Sequence, residues 1–266
     1  TDDNVGLIRK STSVSYVGHK TSLLSGAKGQ VPLSRVVVRG NTPDMKTLGE
    51  TLETFKQEYP KVARSIDKVL ADGIYQNQDN QKICREVLDA KLYAPINARN
   101  RKKQKVEARG IDHIDQRGVP HCISGHPMIY LGQDKQKEQY IWGCPVHHPQ
   151  AKDDSLCCEC PMHELCCGQA EHGRVFRVDQ QQTPQIDPEM PQHSQTFKKT
   201  YMQRTGIERV IGNLKEGFSL RRVHKRGKKA AEAHADRCIL SMHIMVYTNY
   251  AELGKLYRGW SRKKAG

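Results

Sequence analysis

The sequence is poor in aromatic residues and contains no long apolar run. Aromatic side chains make up 6% of its 266 residues, and only two of them are tryptophans. No stretch of about 18 apolar residues is present and no basic-then-apolar leader opens the chain, so neither a membrane span nor secretion is indicated. We therefore expect a cytoplasmic protein without a membrane partner.

Acidic residues are also scarce relative to basic ones. The chain has 43 Lys and Arg against 29 Asp and Glu, which gives a formal net charge of +14. Such an excess favours a polyanionic partner over a small neutral substrate, although a basic surface can also serve solubility alone. The length suffices for one large domain or two smaller ones, each with a real core. Nucleic acid is therefore the first partner class to consider.

The first 98 residues alternate between extended and helical patterns. We predict a hairpin of two extended segments, then a helix, and then a strand, a helix and a strand. In chain order these segments are Val14–Leu24, Val31–Arg39, Thr42–Tyr59, Lys68–Ala71, Asn77–Leu88 and Lys91–Pro95. Strand–helix–strand order is typical of a mixed sheet flanked by helices, so the expected fold class is α/β.

A second region interrupts this pattern after Ala98. Residues 99–190 are rich in Cys, His, Pro, Gly and Gln and show no sustained period, so we predict a loop-rich insertion. A helical pattern returns near His193 and continues, with one break, to about Leu253. The expected domains are residues 1–98, the insertion 99–190, C-terminal helices in 191–254 and a basic tail, 255–266.

Four residues near the C-terminus share a spacing that places them on one helix face. Tyr201, Arg204, Glu208 and Lys215 stand three, four and seven residues apart, and at about 100° per residue these offsets return to nearly the same angle. An acid flanked by two cations and a phenol is suited to handling phosphate groups. The alternative is a solvated face in which Arg204 and Glu208 form an ordinary i, i+4 pair.

With this stripe, the chain resembles the insertion-sequence transposases that carry the Tyr-Arg-Glu-Lys (YREK) signature. The resemblance extends from roughly Asp2 to Tyr250. The neighbouring residues that match are Arg204-Thr205, Ile207-Glu208-Arg209 and Arg226-Gly227. The resemblance implies a DDE catalytic core with a ribonuclease H-like fold, interrupted here by the Cys-rich insertion.

The resemblance also implies three metal-binding acids, of which this chain supplies two. Asp72 matches the second acid and Glu208 the third. From the residues alone, a carboxylate that follows a buried strand faces the crevice where α/β sheets bind ligands, although an Asp-Gly pair is also a common turn. The family carries its first acid on an earlier strand, which Asp2 and Asp3 do not match. We therefore interpret the chain as a C-terminal catalytic fragment without that strand.

The implied function is DNA transposition. Two Mg²⁺ or Mn²⁺ ions at Asp72 and Glu208 would assist hydrolysis at the ends of an insertion sequence, and the freed 3′-hydroxyl would then attack target DNA. Tyr201, Arg204 and Lys215 resemble the residues that grip phosphates beside the cut. The implied partners are double-stranded DNA and a second copy of the protein, because two ends must be joined. The implied location is the bacterial cytoplasm, at the nucleoid when bound.

A cluster of cations follows the predicted catalytic helix. Six basic residues lie between Arg221 and Lys229, and such a loop suits sequence-independent contact with DNA phosphates. The residues that we assign to this contact are Arg221, Arg222, Lys225 and Arg226. A charge run is otherwise a solvated surface, and the basic segment Arg99–Lys105 is open to both interpretations.

Seven of the nine cysteines lie between Cys122 and Cys167, and their odd total favours reduced thiols or metal ligands over disulfides. Cys157 and Cys160 have zinc-ligand spacing, which predicts a structural zinc site. The proposed ligands are Cys144, Cys157, Cys160 and Cys166, with His121, His147, His148 and His163 as further candidates. The alternative is a set of idle thiols, although zinc would explain how a segment with little apolar content folds.

Two other functions remain open. The chain could be a truncated or decayed transposase that binds DNA without cutting it, as the absent first acid suggests. It could instead be a zinc-stabilised nucleic-acid-binding module whose helical stripe is structural. Such a module would not depend on Asp72 or Glu208.

Overall fold

The computed structural model describes most of the chain as two compact units. The described residues are 5–9, 11–96, 110–115, 119–149, 160–166, 168, 173–180, 192 and 194–254. The first unit consists of Thr1–Ala71, Ile83–Tyr93 and Thr200–Gly266, and the second of Asp72–Lys82 and Ala94–Lys199. The predicted zinc ligand Cys157, the segment Arg99–Lys105 and the tail 255–266 lie outside the described residues.

The first unit opens with a three-stranded antiparallel sheet. Its strands are β1 (Gly6–Arg9), β2 (Ser15–Ser25) and β3 (Pro32–Arg39), in the order β1-β2-β3. The predicted hairpin is confirmed, with Thr21 opposite Val37. Its turn places Gln30 at φ 51°, in the left-handed region that costs a non-glycine residue some backbone energy.

Helical and strand segments follow the sheet in the predicted order. They are α1 (Leu48–Glu58), α2 (Pro60–Ala63), β4 (Lys68–Leu70), α3 (Gln78–Leu88) and β5 (Lys91–Tyr93). Leu48, Leu52 and Phe55 form the buried apolar side of α1. The predicted start of this helix at Thr42 is wrong, because a 3₁₀ turn at Asp44–Lys46 precedes α1. β4 and β5 pair in parallel and form a separate two-stranded sheet, so the architecture is mixed α/β.

Three helices complete the C-terminal region. They are α5 (Gln195–Met202), α6 (Thr205–Glu216) and α7 (Lys228–Leu253). The core between α6 and α7 is built from fully buried apolar side chains, which are Val210, Leu214, Cys238, Met242 and Val246. Burial of such side chains is the main stabilising contribution of this layer. None of the described helices is long and apolar enough to cross a membrane.

The helices cover both faces of the first sheet. The hydroxyls of Thr47 and Thr51, beside and within α1, lie 3.2 and 3.1 Å from Ser22 Oγ on β2. The next residue, Leu23, packs against the cluster of α6 and α7. Because successive side chains of a strand point to opposite faces, α1 and the α6–α7 pair lie on opposite sides of β2.

The second unit contains strands where the sequence predicts loops. β6 (Ile111–Ile114) and β7 (Pro120–Cys122) form a hairpin, and β8 (Ile129–Asp134), β9 (Gln139–Gly143) and β10 (Val175–Asp179) form a sheet in the order β10-β9-β8. A short helix, α4, spans His163–Cys166. The described part of the insertion therefore differs from the expected loop-rich segment. These strands are three to six residues long, too short for a period to stand out.

A hydrophobic core holds this second unit together. Its buried residues are Ile111, Ile114, Cys122, Met128, Tyr140, Trp142, Phe176 and Val178. Tyr140 and Trp142 alternate with half-buried positions along β9, and Phe176 and Val178 alternate with exposed positions along β10. The premise that the insertion has little apolar content to fold around is wrong, because its few aromatic residues are concentrated in this core.

Candidate nucleic-acid and metal site

The predicted stripe does not lie on one helix. Tyr201 is in the last turn of α5, Arg204 lies between the helices, and Glu208 and Lys215 are on α6. Backbone bonds of the i to i+3 type connect Arg204 N to Tyr201 O at 2.9 Å and Ile207 N to Arg204 O at 3.0 Å. These bonds form a tight 3₁₀-like turn, which replaces the predicted continuous helix. Gly206 belongs to this turn and is fully buried.

The turn nevertheless brings three of the four residues together. Arg204 Nη2 donates to Glu208 Oε1 at 2.8 Å, and the guanidinium lies 5.5 Å from the centre of the Tyr201 ring. The Arg204 side chain is 22% exposed and the Glu208 side chain 59% exposed. A half-buried cation therefore holds one carboxylate oxygen, and the acid itself stays open to solvent. Lys215 lies two helical turns further on, about 10 Å along the axis, and is exposed.

A cavity lies beside Arg204 in the first unit. Its volume is about 190 Å³. The residues that contribute from strands are Leu23, Leu24 and Ser25 of β2, Leu33 of β3, and Lys68, Val69 and Leu70 of β4. Phe55 of α1 and Ile207 of α6 also line it, although α1 and α6 cover opposite faces of β2. The sheet layer is therefore interrupted between β2 and β4, and we call this cavity the inter-sheet slot.

Sequence reasoning missed the slot altogether. It exists because β4 and β2 belong to different sheets, a fact of strand pairing that no local pattern encodes. Its polar end is formed by Arg204 and Gln203, the residues of the α5–α6 turn.

Asp72 follows β4 and is exposed. Its Oδ1 accepts a bond of 2.6 Å from the backbone N–H of Gly73, the first residue of a 3₁₀ turn at Gly73–Tyr75. This is the capping role that an Asp-Gly pair commonly plays. The second carboxylate oxygen remains available to a cation. Asp72 belongs to the second unit and Glu208 to the first, so their joint site stays a prediction.

The basic loop between α6 and α7 is exposed from Arg221 to Arg226. Arg221 Nη2 lies 2.6 Å from Glu216 Oε1. Arg222, Lys225 and Arg226 are exposed and form no ion pair with any residue that the structure describes. Three of the four cations assigned to DNA are therefore uncommitted within the described chain.

Side chains of α7 anchor the start of this loop. His234 Nε2 donates to Ser219 O at 3.0 Å, and Cys238 Sγ donates to Phe218 O at 3.0 Å. Ser219 has φ 58°, a strained conformation for a residue with a side chain. Burial raises the pKa of the Cys238 thiol, so it stays a protonated donor. The i, i+4 spacing of His234 and Cys238 is the signal that could have indicated this anchor.

The described cysteines of the second unit are reduced but not gathered into a complete metal site. Cys144, Cys160 and Cys166 form no disulfide. Among the residues that the structure describes, no group of three His, Cys, Asp or Glu side chains could hold a metal ion. Nε2 of His147 is buried without a hydrogen-bond partner, and its ring lies 4.3 Å from that of His163.

One comparison with known proteins bears on the α5–α6 region. Residues 121–245 match the family model of the transposase DDE domain. The match supports a DDE transposase, an enzyme class that acts on DNA and generally uses divalent metal ions. No curated protein and no solved structure gives a significant match to the chain.

The transposase DDE match covers less than half of the chain. It includes the α5–α6 turn with Glu208, the basic loop, and the core residues of the second unit from Cys122 to Val178. Asp72 and the inter-sheet slot's strands lie outside it. The resemblance to YREK transposases from roughly Asp2 to Tyr250 thus has support at the level of DDE transposases, and only for residues 121–245.

Proposed function

We propose that the chain is the catalytic part of a transposase that cuts insertion-sequence ends and joins them to target DNA by two-metal phosphoryl transfer. The observation that carries this proposal is the carboxylate of Glu208, exposed and held by Arg204 inside the stretch that matches a transposase DDE domain. If Glu208 served only as a salt-bridge partner of Arg204, its place within the DDE-domain match would have no functional meaning. Asp72 is proposed as the second metal-binding acid.

Both acids suit a hard divalent cation. Each has one oxygen fixed by a hydrogen bond, from Arg204 in one case and Gly73 in the other, and one oxygen that no described residue bonds. Carboxylate oxygens are the ligands that Mg²⁺ and Mn²⁺ prefer. When bound, a pair of such ions stabilises the attacking and leaving oxygens of an in-line displacement. The residues of this chain would orient the acids and the phosphates around that centre.

Arg204 is suited to two tasks in turn. Its guanidinium offers five donors, of which the structure commits one to Glu208. The remaining donors can clamp a phosphate beside the acid, with the Tyr201 ring stacked against the guanidinium plane. Lys215 and the basic loop would bind phosphates further along the duplex. This assignment explains why the cluster of Tyr201, Arg204 and Glu208 is partly exposed and why Arg204 keeps N–H donors that Glu208 does not use.

We further propose that the core is ribonuclease H-like and accepts one more β-strand in the inter-sheet slot. β2 and β4 line one cavity from separate sheets, and side chains from both helical layers reach it. An additional strand would join the two sheets and separate α1 from α6 at this point. Such a strand is also where the expected first acid would lie, beside Arg204.

Hydrogen–deuterium exchange tests whether the inter-sheet slot is open to a further strand. We expect the β4 amides to exchange much faster than those in the centre of β3, because β4 is a strand of three residues that lines the slot, whereas β3 has eight residues and is buried at Val36 and Val37. β4 amides as well protected as those of Val36 and Val37 would mean that the slot is already filled, and would contradict the proposal.

Matched substitutions test the acids. We expect Glu208→Gln and Asp72→Asn to abolish Mg²⁺-dependent cleavage and joining of insertion-sequence ends, and to weaken Mn²⁺ binding measured by calorimetry. The controls are Glu53→Gln on α1 and Asp67→Asn before β4, which remove the same charge from exposed positions. Equal loss in test and control variants, or full activity in the test variants, would end the catalytic assignment.

Two alternatives predict different outcomes. A truncated or decayed transposase would bind DNA in wild-type form without cutting it. A zinc-stabilised nucleic-acid-binding module would bind DNA equally well with both acids replaced and would contain zinc. The apolar core of the second unit weakens that second alternative, because the unit does not need zinc as its only source of stability.

We retain structural zinc as a proposal for the second unit, through Cys144, Cys157, Cys160 and Cys166. The buried, unpartnered Nε2 of His147 supports a cation nearby. Cys144 and His147 also lie close together, since a Cβ at Gly173 would come within 3.0 Å of both Cys144 Sγ and His147 Cβ.

A further inference from the structure

The turn between β2 and β3 lies against the start of α6. Gly206, in the first turn of this helix, is buried. A Cβ atom at Gly206 would lie 3.2 Å from Gln30 Cγ and 3.3 Å from the backbone oxygen of Ala27. Glycine therefore lets the backbone of α6 approach the β2–β3 turn more closely than a residue with a side chain could.

The β2–β3 turn is a firm support for the helix. Gly26 N–H donates to Val31 O, and Gln30 N–H donates to Gly26 O, each at 2.9 Å. On either side of the turn, Leu23 and Val31 pack against the core of α6 and α7. The turn is thus closed by its own hydrogen bonds and joined to the helices that it contacts.

The contact lies behind the pair of Arg204 and Glu208. These two residues stand two positions before and two positions after Gly206. Residues two positions apart on a helix point to nearly opposite sides, so the pair projects away from the β2–β3 turn. The exposed carboxylate of Glu208 agrees with this direction. How far the pair projects is set by how closely Gly206 approaches the turn.

We propose that Gly206 and Gln30 are positioning residues, which fix the place of the Arg204–Glu208 pair through their contact. This role rests on the proposed catalytic function of Glu208. A shift of about 1 Å remote from the chemistry can lower a rate about a hundredfold. A side chain at Gly206 would force its neighbours to give by a few tenths of an ångström, so we expect a loss of about tenfold.

An exchange of volume between the two residues tests the contact. Gly206→Ala adds a methyl group against the turn, Gln30→Ala removes the nearest side-chain atom, and the double variant does both. Gly212→Ala is the matched control, because it makes the same change on α6 where nothing but the helix's own backbone lies within 4 Å of the added Cβ. Circular dichroism checks that each variant folds.

The first measurement needs no cleavage. The ¹³C chemical shift of the Glu208 carboxyl carbon, assigned with Glu208→Gln, reports the hydrogen bond that Arg204 donates. We expect it to move in both single variants, to return towards wild type in the double variant, and to stay unchanged in Gly212→Ala. If Gly206→Ala does not fold, Gln30→Ala still decides, because it crowds nothing at its half-buried position.

The second measurement is Mg²⁺-dependent cleavage. The kcat of Gly206→Ala should fall about tenfold while KM for DNA stays within about twofold, because the contact positions the acid and the basic loop lies elsewhere. A Gly206→Ala protein equal to the control in either measurement, or a double variant no closer to wild type than the single ones, would overturn the positioning role. In a chain that does not cleave DNA, the carboxyl shift alone decides. Full cleavage by Glu208→Gln would instead overturn the catalytic assignment.

Discussion

The basic loop offers the sharpest test of DNA binding, because the structure separates its free cations from its paired one. Arg222, Lys225 and Arg226 are exposed and unpaired among the described residues, whereas Arg221 is held by Glu216 at 2.6 Å. Each Lys or Arg that neutralises a duplex phosphate contributes about 0.9 to the slope of log K against log salt. Replacing the three free cations with Ala should therefore reduce that slope by about 2.7.

Arg221 should behave differently from its neighbours. Its pair with Glu216 is surface-exposed, with side chains 64% and 61% accessible, and such pairs contribute at most about 1 kcal/mol. DNA must compete with this partner, so Arg221→Ala should change the slope by less than one unit. Glu216→Gln should release Arg221 and steepen the slope slightly.

Fluorescence anisotropy with labelled duplexes of several sequences, over a series of salt concentrations, measures the slope. The control removes three exposed cations of the first unit elsewhere, by Lys46→Ala, Lys61→Ala and Arg64→Ala, for the same change in net charge. We expect the loop variant to weaken all duplexes alike. A slope equal to wild type, or an equal reduction in the control, would show that the loop makes no specific phosphate contact and that only total charge matters.

Two further measurements test the proposed zinc site and the burial of Cys84. Cys157→Ser with Cys160→Ser should lower the zinc content of the purified chain measured by mass spectrometry, and equal zinc, or none in either protein, would leave the thiols without a metal role. Burial raises the pKa of Cys84 to about 12 from an ordinary 9.0. Between these two pH values the thiol is therefore deprotonated in the unfolded chain but still protonated in the folded one. The free energy of unfolding should fall as pH rises from 9.0 towards 12, by up to about 1.4 kcal/mol per unit, and Cys84→Ala should remove this part of the slope in chemical denaturation.

Much of the first unit could be predicted from local patterns. The hairpin of β2 and β3, the buried side of α1 and the β4–α3–β5 order all follow from hydrophobic period, flanking Pro and Gly, and β-branched content. These signals are short-range, because a residue's helical or extended preference and the spacing of its apolar neighbours lie within one element. The strands of the second unit were harder to predict, because they span only three to six residues. Its core also joins residues from several strands that turns separate.

The candidate site, too, was predicted from the sequence only in part. Sequence spacing identified Tyr201, Arg204 and Glu208 as one group, and the structure brings them together, but through a 3₁₀ turn rather than a continuous helix. The ionic contact survives the change because an i, i+4 pair is brought close by either backbone form. Lys215 shared the predicted face, yet two turns of rise separate it from Glu208.

By itself the sequence determined the α/β class, the excess of cations, the acid with its arginine, and the exposed basic loop, because composition and short spacings are properties of the chain before it folds. Only the tertiary structure decided that β2 and β4 belong to separate sheets with a slot between them, and that α7 has a second apolar side. Both depend on which distant segments pack together: Leu23 packs against α6 and α7, whereas Leu240 and Ile244 stay more than half exposed. A one-dimensional pattern marks both leucines as apolar, and only packing determines which of them is left for a partner.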